Sequence, residues 1–286
     1  MPYERLEEAL VDSPFPSRLE SSSMQKGVLR VAAVCPQRDV EWTGFAVYYN
    51  HKVEEDREAY FVAPASKDVS DKEVRMTLEL DMASFPFRYT HWSIACTYER
   101  DGQLCAARIV IETKKKRKIG EFLLKQENYK SPDGDIAFLY TQRGNYLGIR
   151  FRERTRYDTR TVRFKECAAR FHYRHNRSKY DSRNICLIYE KRCRKAQDNG
   201  YYLFKHCMEE NEQERLGREI YYVIEKDAPD RKKLLAYKKN LVTFMSVKHM
   251  VYLQAANLIL SPDSRAHAYA WQPQDSIIAN RVKKIP

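Results

Sequence analysis

The chain has 286 residues, with 51 Lys and Arg against 39 Asp and Glu, a formal net charge of +12 and 43% hydrophobic residues. That apolar fraction supports folded cores and excludes a disordered chain, and the length suffices for one or two domains. A mean hydropathy of −0.69, with no apolar run near ~20 residues, excludes a membrane-spanning helix.

Residues 1–23 read as a lead segment. Its acidic residues Glu4, Glu7, Glu8 and Asp12 do not fit a signal peptide, which needs a basic start and an apolar run. From 24 to 154 the apolar period is two. Val74, Met76, Leu78 and Leu80 alternate with Arg75, Thr77, Glu79 and Asp81, the pattern of a strand with one wet face. Further strands are predicted at Val28–Val34, Gly44–Tyr49 and Tyr60–Val62. Two hairpins follow, Ser93–Glu99 with Leu104–Thr113 across Asp101-Gly102, and Ile136–Thr141 with Tyr146–Arg154 near Gly144-Asn145, since such pairs accept the positive φ of tight turns. Seven or eight short strands at this spacing predict an antiparallel β-sandwich-like module. It carries no visible catalytic constellation, and the sequence leaves its ligand open. Lys114–Lys118 is entirely basic, which suits a polyanion or a solvated loop.

The seven cysteines form no Cys-x-x-Cys pair, and their odd number argues against a disulfide framework and for a reducing cytoplasm. The Asp101-Gly102 turn sets Cys105 opposite Tyr98 and leaves Cys96 a diagonal neighbour at about 7–8 Å, too far for a disulfide. Buried free thiols are expected.

Residues 155–183 are expected to be a basic connector. The wider stretch 150–183 holds twelve Arg and Lys against four acids, a net +8. Arg150, Arg152 and Arg154 alternate along one strand face and, with Arg156, offer guanidinium groups suited to phosphate. An anionic polymer, an anionic membrane surface, nucleic acid or a solvated linker would each account for that charge. No RNP-like aromatic motif or zinc-finger spacing favours nucleic acid.

Residues 184–286 change character again. Four short apolar runs, Ile185–Tyr189, Ile220–Ile224, Val242–Met245 and Leu258–Leu260, read as buried parallel strands because neither face is polar. Helices are predicted at Asn199–Glu210, capped by Asp198, and from Val247 to about Ala256, capped by Ser246. The order is β-α-β-α-β-α-β. In such sheets ligands sit beyond the carboxyl ends of the strands, where helix N-termini favour anions.

The residues at those ends are Glu190, Lys191, Arg192 and Asp198; then Glu225, Lys226 and Asp227; then Ser246, Lys248 and His249; then Ser261, Asp263, Ser264, Arg265 and His267. Acceptor- or phosphate-binding candidates are Asp198, Ser246, Lys248, His249, Ser261, Ser264, Arg265 and His267. Each has a plainer alternative. Ser246, Ser261 and Ser264 could simply cap helices, His249 could be a packing residue, and Tyr269 and Trp271 could pack the final turn. Asp198 and Glu190 could orient an acceptor hydroxyl. No metal ligand set is visible.

The segments QDNGYYLFK at 197–205, IYYVIEKDAPD at 220–230, FMSVKHMVYLQAANLILSPD at 244–263 and HAYAWQP at 267–273 resemble the CDP-glycerol glycerophosphotransferase family of bacterial teichoic-acid and capsule synthesis. The resemblance covers about a third of the chain. It implies a Rossmann-like half of a GT-B fold in an α+β multidomain protein, and transfer of glycerol phosphate to a lipid-linked or polymeric acceptor. It also implies a peripheral position on the inner face of the cell membrane. CDP-glycerol would be the donor substrate, with glycerol against ribitol left open, and no further cofactor is expected. The family's Gln-His-Gly segment and donor domain are not found in the 286 residues, so no catalytic residue is assigned and the chain alone is expected to be inactive. The alternative is a non-catalytic module for an anionic polymer, membrane surface or nucleic acid.

Overall fold

The computed structural model describes residues 3–5, 11–37, 40–49, 58–112, 128–142 and 144–271. The chain divides into two compact units, Met1–Arg154 and Thr155–Pro286.

Among its described residues the first unit has β-strands and no helix. Its strands are β1 (Glu4–Arg5), β2 (Val11–Asp12), β3 (Ser17–Gln25), β4 (Val28–Pro36), β5 (Glu41–Tyr49), β6 (Glu58–Val62), β7 (Ser66–Val69), β8 (Glu73–Asp81), β9 (His91–Arg100), β10 (Gln103–Val110), β11 (Asn128–Lys130), β12 (Asp135–Thr141) and β13 (Leu147–Glu153). Alternation built β8 as expected, with Val74, Met76, Leu78 and Leu80 inward. The two predicted tight turns form, with φ of 53° and 73° at Asp101 and Gly102 and of 85° and 68° at Gly144 and Asn145. A third, Lys26-Gly27, joins β3 to β4, and β3 went unpredicted because its serine-rich sequence shows little apolar period.

The expected antiparallel sandwich needs correction. All 13 strands are hydrogen-bonded into one mixed sheet, in the order β1-β6-β5-β9-β10-β3-β4-β8-β7, with β2 on β10 and β13-β12-β11 continuing from β9. The joining element is β10, which is antiparallel to β9 yet parallel to β3 through Ile109–Ser17 and Val110–Arg18. The sheet curls so that side chains from β4, β8, β5, β9 and β13 share one core around Trp42 and Trp92. Periodicity reports which face of a strand is wet, but not which edges meet.

Gly44 sits at a register shift between β5 and β9. A Cβ there would lie 2.8 Å from the Val62 carbonyl oxygen and 2.9 Å from the Phe61 ring. Backbone cannot give way as a side-chain tip can, so Gly44→Ala should cost about 1–3 kcal/mol in urea unfolding. An unchanged midpoint would refute it. All seven cysteines are free thiols; Cys105 does face Tyr98, whereas Cys96 meets Cys35.

The second unit contains α1 (Arg160–His175), α2 (Arg177–Asp181), β14 (Cys186–Ile188), α3 (Asn199–Glu209), α4 (Glu212–Arg215), β15 (Ile220–Ile224), β16 (Leu241–Thr243), α5 (Val247–Ala255) and β17 (Leu258–Leu260). The four strands are parallel, in the order β16-β15-β14-β17. Phe204 and Cys207 of α3 pack on Cys186, Ile188, Ile220 and Tyr222 on one sheet face. Tyr252 of α5 meets Tyr221, whose side chain leaves β15 on the other face. Between β15 and β16 runs a series of 3-10 turns, Pro229–Asn240, instead of an α-helix. Its lysine-rich sequence buries only Leu234.

Residues 155–183, expected as a connector, carry α1 and α2, and α1 packs against α5. Thr159 caps α1 by accepting from Val162 N at 3.3 Å. The helix shows no apolar stripe because its buried face consists of Arg163, Glu166 and Ala169, with the Arg163 guanidinium over the Trp271 ring at 5.3 Å.

Candidate functional site at the sheet switch point

Connections from β14 run outward through β15 to β16, and the chain then returns to place β17 on the other side of β14. The carboxyl ends of β14 and β17 therefore flank the switch point of the sheet, where open α/β sheets form a ligand crevice.

The loop leaving β14 has an unusual backbone. Lys191, Arg192 and Cys193 adopt φ of 43°, 58° and 61° in succession, a left-handed turn without glycine, which costs roughly 1–2 kcal/mol per residue. Three tethers hold it. Arg192 N donates to Asp263 Oδ2 at 3.1 Å, Glu225 N donates to the Cys193 carbonyl at 2.8 Å, and the buried Cys193 thiol reaches the His267 carbonyl at 3.7 Å. With Cys193 turned inward, Lys191, Arg192, Arg194 and Lys195 are all exposed. Lys191 Nζ lies 3.7 Å from Asp198, and Arg194 lies 3.3 Å from Glu225.

The carboxylates around this turn are largely committed to the fold. Glu190, fully buried, accepts from the backbone N–H groups of Gln197 at 2.9 Å, Asp198 at 3.0 Å and Tyr201 at 2.5 Å. It thereby fills the N-terminus of α3 with an internal anion, and Gly200 makes room, since a Cβ there would stand 3.1 Å from Glu190. Asp198 caps α3 through Asn199 N at 2.9 Å.

Glu225 is buried against Arg156 at 2.8 Å and accepts from the Tyr157 hydroxyl at 3.0 Å. Burial first, then the bond to Glu225 against the opposing pull of Arg156, pushes the Tyr157 phenol up to about 12. Asp227 takes both ends of the Arg156 guanidinium at 2.7 and 3.0 Å, which pulls its carboxyl down to about 2.

Ser246 accepts from His249 N at 3.1 Å as the cap of α5. His249 is fully buried, with Nδ1 accepting from Met245 N at 3.1 Å, so the proton resides on Nε2. Lys248 extends over Tyr221 and Tyr252 at 5.1 and 5.3 Å. Those two phenols also accept from Arg183, which is paired with Glu219 at 2.6 Å. The residues after β16 therefore belong to packing and to this tyrosine cluster, and do not join the β14 turn.

The residues after β17 do join it. Ser261 Oγ accepts from Asp263 N at 3.0 Å, and Asp263 Oδ1 accepts from Ser264 N at 2.9 Å. Ser264 offers its carbonyl to the Tyr189 hydroxyl at 3.0 Å. Arg265 opens a 3-10 turn, and its side chain lies outside the described residues. His267 Nδ1 stands 2.8 Å from Asp263 Oδ2, within ion-pair distance although its N–H is not aligned for a linear hydrogen bond. The imidazole first, then the backbone amides of Ser264 and Arg192, hold the Asp263 carboxyl below its usual range against the effect of burial.

Of the eight candidates, Asp198, Ser261, Ser264 and His267 thus gather at the switch point with the backbone of Arg265, whereas Ser246, Lys248 and His249 gather elsewhere. Arg192, Arg194 and Lys195 were not candidates. The signal was present in KRCRK directly after an apolar strand, four cations within five residues.

The arginine ridge is dispersed. Arg150 is 8% exposed and contacts His91, Arg152 lies over the Phe138 ring, and Arg154 is exposed. Arg156 belongs to the second unit and is held by Asp227 and Glu225. Lys114–Lys118 lies outside the described residues. Among the described residues there is no group of three or more His, Cys, Asp or Glu able to hold a metal, and no helix long and apolar enough to cross a membrane.

No family model matches the chain, and no curated protein matches it. Among solved structures, S. aureus TarS 217–571 is 9% identical over 51% of this chain and 41% of that one, with a TM-score of 0.36. A second structure of S. aureus TarS gives 10% identity, 51% and 26% coverage and a TM-score of 0.35. The chain therefore spans less than half the length of these structures, and likeness at this level carries no argument about activity. The expected membership of the glycerophosphotransferase family is corrected accordingly: short apolar strands, caps and basic loops satisfy the general demands of a parallel sheet, no family model matches, and these two distant structures are of TarS.

Proposed function

We propose that the Thr155–Pro286 unit binds an anionic polymer of polyol units joined by phosphodiesters, as distinct from a nucleic acid, in the crevice between the carboxyl ends of β14 and β17, and that the chain serves as a binding module for it. The observation that supports this reading is the left-handed turn Lys191–Cys193, which presents four exposed cations beside the switch point. Backbone strain of this kind persists only where the surroundings enforce it, and it clusters at ligand sites. Guanidinium and ammonium groups at the mouth of a parallel sheet suit repeated phosphates. Among the described residues Lys191 and Arg194 of this turn are ion-paired, with Asp198 and Glu225, whereas no ion pair engages Arg192 or Lys195, which leaves those two best placed to meet a ligand.

The test is equilibrium binding of the full chain to poly(glycerol phosphate), a single-stranded oligonucleotide and phosphatidylglycerol vesicles, each over a salt series. The polymer should bind, and Arg192→Glu with Lys195→Glu should weaken it by at least about tenfold and reduce the salt dependence by roughly two charges. Failure of the polymer to bind, unchanged affinity in the double variant, or a preference for the oligonucleotide or vesicle would overturn the reading.

A further inference from the structure

The first unit contains a cleft of about 650 Å³, inside the range of small-ligand sites. Its lining comes from the segment between β8 and β9 and from the turn between β11 and β12. Phe87 stacks on Phe151 with ring centroids 5.2 Å apart and 22° between planes, and Tyr89 leans on Phe151 at 5.6 Å and 31°. The three rings thus form a short pile with Phe151 in its middle. The outer member, Tyr89, is 64% exposed. Its hydroxyl donates to Asp135 Oδ1 at 2.7 Å, which fixes the ring's orientation in a segment that would otherwise let it swing. Tyr89 covers part of Phe151 at the edge of the core, yet most of its own surface stays exposed while its orientation is fixed.

We infer that this cleft is a saccharide-binding site, with the open face of Tyr89 as the platform for one sugar ring and Asp133 and Asp135 as acceptors for its hydroxyl groups. The C–H groups on a pyranose face carry partial positive charge and meet the negative face of an aromatic ring. Carboxylates are acceptor-only groups with several lone pairs, so they take hydroxyl donors at the rim of such a platform. Both carboxylates line the cleft, and only Oδ1 of Asp135 is used by Tyr89.

Two other occupants fit less well. A quaternary ammonium needs several ring faces turned toward it, whereas here Phe87, Phe151 and Tyr89 use their faces on one another. The cleft also contains Arg88, whose positive charge opposes a cation even though it is paired with Glu58. A proline-rich segment needs an extended aromatic groove, and this cleft offers one open ring face.

The full chain should be titrated with maltotetraose, cellotetraose and chitotetraose, with tetramethylammonium chloride and a proline-rich decapeptide as competitors of other chemistry. At least one tetrasaccharide should bind. Tyr89→Ala should weaken it at least about tenfold, the factor that about 1.4 kcal/mol of lost stacking gives, in a protein that still unfolds in one cooperative transition above the titration temperature. Tyr89→Phe should weaken it less, since it keeps the face and loses only the tie to Asp135. No tetrasaccharide binding at about 10 mM, affinity unchanged in Tyr89→Ala, or Tyr89-dependent binding of the ammonium or the peptide instead would each overturn the inference. The cleft lies in the other unit from the β14 turn, so the Arg192 and Lys195 variant leaves this binding intact.

Discussion

Glu190→Ala should destabilise the protein by about 3–5 kcal/mol, the cost of removing one partner from a buried charged network. The reason lies in the three backbone N–H groups of Gln197, Asp198 and Tyr201 that converge on this one carboxylate. Without it, three donors at the start of α3 remain dry, and each unsatisfied buried donor costs about 1–3 kcal/mol. Gly200, which leaves space for the glutamate side chain, would then face a cavity. Glu190→Gln keeps one oxygen acceptor but introduces two donors among donors, so it should fall between wild type and alanine. Urea unfolding followed by far-UV circular dichroism measures both, and a loss under about 1 kcal/mol in Glu190→Ala would show that water serves these amides as well as the carboxylate does. The same experiment bears on the site, because the N-terminus of α3 anchors the loop that begins at Lys191.

Stability should also fall with acid through His249. Burial alone lowers its pKa from 6.5 to about 3; the imidazole lies between the rings of Phe244 and Tyr269, and its Nδ1 accepts from Met245 N. A histidine whose folded pKa lies below its unfolded value stays neutral in the native state while the unfolded chain takes up a proton. The unfolded state then binds more protons between pH 6.5 and about 3, so stability is fully present above 6.5 and declines as pH falls through that window. The slope approaches about 1.4 kcal/mol per pH unit for one fully buried imidazole. His249→Asn places an amide oxygen near the Nδ1 position and removes the titration. The variant should be less stable than wild type at pH 7.5 and lose less of its stability between pH 6.5 and 5. Parallel pH profiles for the two proteins would show that His249 does not titrate as its burial requires. Asp227, held down to about 2 by Arg156, acts in the same direction at lower pH: its contribution is present above the ordinary carboxylate range and disappears as pH falls toward 2.

Much of the site's address was readable and much of its chemistry was not. The strands ending near Tyr189, Ile224, Thr243 and Leu260 were legible because each is a short, wholly apolar run. Asp198 and Ser246 were legible as caps because a strand-to-helix junction calls for a side-chain oxygen. The strand-end residues were expected to converge on one rim; they divide into two groups instead, because that outcome depends on strand order, which no local pattern carries. Only the placement of β17 beside β14 brings Asp263 to Arg192 and His267 to Cys193, and separates them from Lys248 and His249. Helix α1 was hidden for a different reason: its buried face carries Arg163 and Glu166, and no hydrophobic period marks a helix that packs a guanidinium against Trp271.

The sequence by itself determined two kinds of architecture, a β region of alternating and turn-bounded strands followed by a parallel α/β region, because side-chain periods of two and continuous apolar runs are local consequences of where water is excluded. It also determined the hairpin turns at Asp101-Gly102 and Gly144-Asn145, since few other residue pairs accept two positive φ angles. The tertiary structure decided which strand edges meet, and so made one curled sheet through the parallel pairing of β10 with β3 where local pattern suggested two layers. It likewise decided which charges are consumed. Glu190, Arg150, Arg156 and Asp227 look in sequence like any exposed charged residues, but Glu190 and Arg150 are buried and all four are held by partners, whereas Lys191, Arg192, Arg194 and Lys195 stay at the surface because a left-handed turn, tethered by Asp263 and Cys193, presents them there. Those outcomes depend on contacts such as Ile109 with Ser17 and Cys193 with His267, 92 and 74 positions apart, which no local pattern encodes.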